Sequence, residues 1–397
     1  MISIPTGAKK IIQVLHDNAH DAYVVGGCVR DSILGRDPED WDITTSARPR
    51  EVKKLFRRTV DTGIEHGTVT ILMNDGDYEV TTYRIDGKYT DARHPDSVEY
   101  TDDLTEDLRR RDFTINAMAY SDENGLVDVY GGLEDLSAHL IRCVGDPDAR
   151  FTEDALRILR AVRFAAQLGF TIEEYTAAAI KNHVPQLAHV SKERILAELN
   201  KSLLSEHPEA LKIIYAENME HSICDSFALI REEATEGMDQ AAFLRKERYL
   251  RWAALMREIS PEEAEKILRE LKCDVDTIRK VKALVRVLKE RTPVRPAEIR
   301  RLLSEIGPDL FEDMIALKRF GFGRYAREDC DRALTEFYRI LERGDAYSIK
   351  ALKVSGGDLI AAGVKPGPHM GEILSRMLDA VIEDPEMNTK EELMKLV

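Results

Sequence analysis

The chain reads as an α+β protein, with short strands and helices mixed over residues 1–146 and an all-α remainder. Two patterns predict this. Short apolar runs of strand length, bounded by glycine and polar turns, recur as far as IRCVG at 141–145. From Pro147 the spacing turns helical, starting with one long helix in FTEDALRILRAVRFAAQLGF, and breakers then fall at 182–190, 205–208, Pro261, 293–296, 307–308, 321–323 and 366–368. A chain of 397 residues exceeds one ordinary domain. The expected division is a head (1–146), a helical neck (147–205), a helical body (206–305) and a helical tail (306–397).

The elements follow in order. Ile11, Ile12 and Leu15 share the face of a short helix at 8–18. The stretch at 22–45, AYVVGGCVRDSILGRDPEDWDITT, gives a strand (Tyr23, Val24, Val25), a Gly26-Gly27 turn, a helix over about 29–34 and a second strand carrying Asp40 and Asp42. Along a strand, carboxylates two apart share a face, roughly 6–7 Å apart. Two anions that close call for a cation, and Mg2+ suits them, because it takes oxygens from one or two carboxylates and from substrate phosphates. Glycine backbone at Gly27 can approach an anion closely, the helix behind it presents amides, and Arg30 adds charge. Each signal alone is commonplace; together within twenty residues they mark a phosphate and metal site.

A helix is expected at 49–56, starting at Arg48-Pro49, and then a hairpin at 67–84 turning at Asp75-Gly76. Glu79 on its second strand is either a third carboxylate facing the metals or a charged cross-strand partner on a solvated face. Residues 86–103 form a long polar stretch without periodicity. In RRRDFTINAMAY, at 109–120, Asp112 is placed to cap an apolar turn at 115–118, whereas Arg111 has no ready structural role. GLVDVYGGLEDL gives a strand ending at 128–130, a Gly131-Gly132 turn and a helix start.

Asp154, Arg157, Arg160 and Arg163 are spaced by three, so on one helix they would wind slowly over ~13.5 Å, about the length of an extended nucleotide. A carboxylate beside a guanidinium offers the acceptors and donors that match the Watson–Crick edge of a base. Asp154 and Arg157 could read the base while Arg160 and Arg163 hold ribose or phosphate. A salt-bridged helix face, with Glu153 and Arg157 as an i,i+4 pair, is the alternative that spacing alone favours.

GGCVRDSILGR followed by DWDI resembles the signature of class II tRNA nucleotidyltransferases and their poly(A) polymerase relatives, in the DNA polymerase beta superfamily. The likeness extends over nearly the whole chain and is closest to the bacterial CCA-adding branch. It implies a nucleotidyltransferase head with a mixed β-sheet, and it reverses the odds at EDALRILRAVRFA, which resembles the family's base-selecting motif. There the motif acts as a protein template for CTP and then ATP. The resemblance places Arg111 on the nucleotide, makes Asp128 structural or hinge-related, and gives Glu193 and Arg194, in SKERILAEL, a bracing role. The loop at 86–103 corresponds to one that the relatives adding only two cytidines lack. The implied reaction is addition of C, C and A to the 3′ end of tRNA from CTP and ATP, with Asp40 and Asp42 on magnesium and release of pyrophosphate.

Composition is compatible with this. A net charge of −15 argues against nucleic acid on its face, yet residues 241–301 carry 17 Lys and Arg against 10 Asp and Glu, a localised basic band suited to RNA phosphates or an ordinary mixed-charge helical surface. The glycines of VSGGDLIAAGVKPGP, at 354–368, would also let amides meet phosphate. The five cysteines lack CxxC spacing, so neither a disulfide framework nor zinc is expected. No apolar run of membrane length and no leader is seen, and a cytoplasmic protein is expected. Competing readings are a poly(A) polymerase, a CC-only or A-only enzyme, and a catalytically silent RNA-binding protein. No His-Asp pair after residue 205 suggests a phosphohydrolase domain.

Overall fold

The computed structural model describes residues 2–87, 98–324 and 326–397. The chain forms two compact units, Met1–Asp225 and Ser226–Val397. The first contains α1 (Thr6–Asp17), β1 (Ala22–Val25), α2 (Gly27–Ile33), β2 (Ile43–Thr45), α3 (Pro49–Leu55), β3 (Thr59–Gly63), β4 (Thr68–Leu72), β5 (Asp77–Thr82), β6 (Arg84–Asp86) and β7 (Val98–Tyr100). After these come α4 (Leu104–Arg109), β8 (Ala119–Ser121), β9 (Gly125–Val127), α5 (Gly132–Ala138), β10 (Leu140–Ile141), α6 (Pro147–Glu153), α7 (Leu156–Leu168), β11 (Thr171–Ile172), α8 (Glu174–His183), α9 (Lys192–Leu203), α10 (Lys212–Ala216) and α11 (Glu220–Ile223).

Seven strands form one sheet in the order β3-β4-β5-β2-β1-β8-β9. Only β2 and β5 run parallel, so the sheet is mixed, as the resemblance implies. β1 lies near its middle and every residue of it is buried, which explains an unbroken apolar AYVV rather than an alternating pattern. Tyr23 and Val25 pack with Tyr83, Leu108, Ala117, Ala119 and Val144. The hairpin at β4 and β5 closes as expected, with Met73 N–H donating to Gly76 O at 2.9 Å. Asp128 accepts from the Gly132 and Leu133 amides at 2.7 and 2.9 Å, a structural role at the start of α5. The loop singled out at 86–103 is described only at its ends, where β6 and β7 pair; 88–97 lie outside the described residues.

The structure corrects several expectations. Asp40 and Asp42 precede β2 instead of lying within it. The long helix from 151 is two, α6 and α7, parted at Asp154 in extended conformation (φ −149°, ψ 102°). Of IRCVG only Ile141 lies in a strand, β10, which is outside the main sheet and pairs in parallel with β11, a strand beyond Pro147 where none was expected; Cys143 makes an isolated antiparallel bridge with Phe113. Two-residue strands are too short to print a period on the sequence.

The second unit holds α12 (Arg248–Leu255), α13 (Pro261–Glu270), α14 (Val275–Leu288), α15 (Pro296–Arg319), α16 (Arg327–Arg343), α17 (Gly356–Ala361), α18 (Pro368–Glu383) and α19 (Lys390–Met394). The break expected at 307–308 is a kink inside α15, where Gly307 takes φ +80° and Pro308 follows. Val354, Leu359, Ile373, Met377, Val381 and Leu393 form a separate C-terminal core. Arg300 joins it to α15: its buried guanidinium donates to Ile382 O at 2.8 Å and to Asp345 at 2.9 Å. Burial works against an ionised Asp345, but hydrogen bonds from Arg343 and Arg300 hold its pKa below the usual range. None of the cysteines is in a disulfide, and only Cys273 is not buried.

Removing Arg300 takes the donor from the Ile382 carbonyl and leaves Asp345 with Arg343 alone, so Arg300→Met should cost about 1–3 kcal/mol in urea unfolding of the second unit. Lys318 gives a pH prediction. Its buried ammonium donates to Glu290 O at 2.6 Å, and burial lowers its pKa from 10.5 to about 8. The unfolded chain therefore binds more protons between those values, and this group's contribution to stability should rise with pH across that window. Unfolding midpoints of wild type and Lys318→Met, measured from pH 7 to 10.5, should converge or cross as the wild type gains.

Candidate active site

The carboxylates gather where β1 ends and β2 begins, beside the first half of β5. Val25 N–H donates to Asp42 O at 3.0 Å, extending the pairing of Val24 with Ile43 by one residue. The parallel register pairs Ile43 with Val80, which sets Asp42 beside Glu79, and in parallel strands such neighbours share a face. Loss of surrounding water is the main force raising the Asp42 pKa; Arg111 opposes it, and the charges of Glu79 and then Asp40 add to the rise. Asp42 keeps an exposed outer surface, while the neighbouring strands remove part of its hydration.

A carboxylate that has lost hydration beside two others suits a divalent cation. Among the described residues, no group of three or more His, Cys, Asp or Glu is disposed to hold a metal on its own. Asp40 and Asp42 offer carboxylate oxygens, the donors that a hard divalent ion completed by substrate oxygens takes. Behind Asp42 lies Cys28, buried, its thiol donating to Val25 O at 3.4 Å; burial above all pushes its pKa up to about 12.

The turn after β1 brings cationic groups near these carboxylates. Gly26 takes φ +81°, and a Cβ there would stand 2.9 Å from Arg111 Nη1, so both its conformation and its neighbour demand glycine. Gly27 has ordinary φ and open space around it; a Cβ there would meet nothing closer than Arg30 Nη2, at 3.9 Å. Arg111 is loosely paired with Asp107 at 3.8 Å, its buried Nε has no hydrogen-bond partner, and burial lowers its pKa. A guanidinium so poorly compensated is prepared for an anion. Arg30 is fixed by Asp31, at 2.9 and 2.8 Å, and donates to Asn116 Oδ1 at 2.7 Å.

The neck residues do not form one row. Asp154 accepts from Leu156 N at 3.0 Å, starting α7, and from Arg194 Nη2 at 2.7 Å, so Arg194 braces it as expected. Glu193 is exposed in the first turn of α9. Arg157 is not paired with Asp154: it donates to Glu153 at 2.6 Å and to the carbonyls of Arg150 and Arg110 at 3.1 and 3.0 Å. Here the i,i+4 pair that spacing suggested is present across the break between α6 and α7. Arg160 grips Asp112 with Nε at 2.7 Å and Nη2 at 2.5 Å. Arg163 lies 2.9 Å from Glu198, and burial, then the charge of Arg160, lower its pKa to about 10. Arg30, Arg160 and Arg163 surround the ring of Phe164, at 5.2, 5.5 and 4.2 Å from its centre.

Asp112 is therefore more than the expected cap. Phe113 occupies the N-cap position of the turn at 114–116, while Asp112 accepts from Asn116 Nδ2 at 3.2 Å and from Arg160. Burial would raise its pKa, but Arg160, Arg157 and the hydrogen bonds bring it down to about 2. The result is a continuous line from Arg30 through Asn116 and Asp112 to Arg160. Asn116 and Phe164 are thus parts of the site that were not singled out, and Gly26 and Asp112 were read only as a turn and a cap; all four lie inside motifs quoted above, but their partners lie up to 86 residues away.

Three family models match the chain: the poly A polymerase head domain at 22–142, the probable RNA and SrmB-binding site of polymerase A at 169–219, and tRNA nucleotidyltransferase domain 2 at 245–397. The chain is 39% identical to the CCA-adding enzyme of Limosilactobacillus reuteri (strain DSM 20016), over 98% of this chain and 95% of that one. It is 38% identical to the CCA-adding enzyme of Lactiplantibacillus plantarum (strain ATCC BAA-793 / NCIMB 8826 / WCFS1), over 98% and 94%. Its structure is similar to that of the Bacillus stearothermophilus CCA-adding enzyme in complex with CTP, with a TM-score of 0.83 at 32% identity, covering 98% of this chain and 95% of that one. Likeness of that extent, through the sheet and the helices alike, makes this chain a member of the CCA-adding enzyme family.

Proposed function

We propose that this enzyme adds C, C and A in turn to the 3′ end of tRNA from CTP and ATP, without a nucleic-acid template and with release of pyrophosphate. The observation that carries the reading is the division of one recess into an anionic end, at Asp40, Asp42 and Glu79, and a cationic end, at Arg111, Arg30, Arg160 and Arg163. The names of the relatives support the choice of reaction. Nucleotidyltransferases of this family are metal-dependent, and here Asp40 and Asp42 would hold Mg2+. Bound there, it would supply Lewis-acid activation of the RNA 3′-hydroxyl and neutralise the departing pyrophosphate.

The protein's own groups do the positioning that dominates phosphoryl chemistry. Arg111, poised over Gly26 with an unpartnered Nε, would take an anionic oxygen of the nucleotide. Arg30, Arg160 and Arg163 would hold triphosphate and ribose, with Gly27 leaving the backbone open. Asp154, held by Arg194, and Arg157, once released from Glu153, would meet the Watson–Crick edge of the base. Glu79 would tune Asp42 through its charge. The head, neck, body and tail division at 146, 205 and 305 is retained as a functional reading, with RNA backbone bound by the basic residues of 241–301 and by the tail segment at 354–368. Ser355 there starts α17 and Asp358 pairs with Lys390 at 2.5 Å, which leaves the amides of the glycine turn as the contact proposed. No helix among the described residues is long and apolar enough to cross a membrane; tRNA, ATP and CTP as substrates support action in the cytoplasm.

The test is incubation with tRNAs ending at the discriminator base, at C and at CC, with labelled CTP or ATP. A CCA end and no longer tail is expected. A long adenylate tail would indicate a poly(A) polymerase, and arrest at CC a partial enzyme. Asp40→Ala and Asp42→Ala should each lower incorporation about a thousandfold while leaving the fold intact by circular dichroism. Arg157→Ala should reduce discrimination between CTP and UTP by about ten- to a hundredfold, since one lost base contact costs about 1–3 kcal/mol, read from single-turnover incorporation with each nucleotide.

A further inference from the structure

The segment between α11 and α12 contains short 3-10 turns and one unexpected side chain. Phe243 ends the turn Met238–Phe243 and is 70% exposed. Isolated exposed apolar residues are ordinary; this one is built in. Arg251 is fully buried, and its Nη2 donates to Ala242 O at 3.3 Å and Leu244 O at 3.2 Å, the carbonyls on either side of Phe243. Arg257 holds the preceding turn in the same way, donating to Ala234 O at 2.7 Å and Glu236 O at 3.1 Å. One face of the Phe243 ring lies against Phe320, nearly parallel at 11° with centroids 6.1 Å apart. The protein thus fixes an aromatic ring in the open, which costs solvation and gains nothing for the core.

Charge around the ring indicates its occupant. Over residues 243–250 the exposed charged side chains are Arg245, Lys246 and Arg248 against Glu247 alone, in a chain of net −15. Arg245, two residues from Phe243 and at most about 7 Å away by Cα distance, is 61% exposed at its side chain, although Asp313 fixes its Nη2 at 2.6 Å. Arg319, next to Phe320, is also partly exposed and pairs with Asp331. An exposed ring bordered by oriented guanidiniums is the arrangement on which unpaired nucleobases stack while their phosphates are neutralised. A protein partner would meet the same apolar ring, but gains less from a surrounding excess of positive charge.

We propose that Phe243, backed by Phe320, is a stacking platform for an unpaired base of the RNA substrate, with Arg245 at the adjoining phosphate. The proposal rests on the tRNA reading above and assigns a base contact to a unit for which only backbone contacts were inferred. Phe243 is distant in sequence from the nucleotide recess and acts on RNA binding alone.

The experiment compares wild type, Phe243→Ala and Phe243→Trp in CTP addition to tRNA lacking its CCA end, with thermal unfolding as a folding control. Loss of one stacked base should raise the KM for tRNA about tenfold in Phe243→Ala, leave the KM for CTP and kcat unchanged, and be largely reversed in Phe243→Trp. The emission that Phe243→Trp adds to that of the native Trp41 and Trp252, taken as the difference from wild type, should be quenched by tRNA and not by CTP. A KM for tRNA within twofold of wild type in Phe243→Ala, or emission indifferent to saturating tRNA, overturns the proposal. So does a change of oligomeric state in Phe243→Ala on sedimentation, which would assign the ring to a contact between proteins. Should wild type fail to extend tRNA at all, the functional reading falls, whereas quenching by RNA still decides the platform.

Discussion

The site proposed for the nucleotide depends on a carboxylate that has been taken out of water. Asp112 is buried, and it remains ionised because Arg160 reaches it from α7 with two nitrogens. A buried charge is tolerable only when paired, so the pair fixes where α7 lies against the 109–120 segment. Arg111 precedes Asp112 in the chain, and Asn116, held by Asp112, fixes Arg30. Three of the guanidiniums assigned to the nucleotide therefore take their positions from one buried anion.

Compensation is incomplete at both ends of the recess, and in opposite senses. Asp42 is pushed up by lost hydration and by two neighbouring carboxylates, while Arg163 and Arg111 are pushed down by burial and like charge. A nucleoside triphosphate carrying a divalent ion has the reverse pattern and would relieve both. On the proposed reading, affinity for such a complex would be drawn from this imbalance in the free protein, with the pairs around Asp112 as its support.

What the sequence disclosed follows the range of each interaction. The hairpin at 67–84, the turn at Gly26-Gly27 and the nearness of Asp40 and Asp42 to the second strand are local, and they were legible. So was the i,i+4 pairing of Glu153 with Arg157, although its favoured setting was a single helix. That helix was overestimated because Asp154 looks like one more polar position at helical spacing, whereas its carboxylate bonds the Leu156 amide and starts a new helix. Asp112 was read as a cap since its true partner is 48 residues distant. The family likeness supplied the roles of Arg111 and the neck motif, which no spacing rule yields. Phe243 was invisible for another reason: nothing in a sequence says that a phenylalanine will face water.

The thiols carry a practical consequence. Cys28, Cys143, Cys224 and Cys330 are buried, and Cys28 and Cys143 are pushed up to about 12, so few of their sulfurs are nucleophilic at neutral pH. Cys273, half-covered at the start of α14, is the readiest of the five to meet a maleimide. A fluorophore attached there would report on the second unit without the removal of any native cysteine, and alkylating reagents used for such labelling would spare the thiol beneath Asp42.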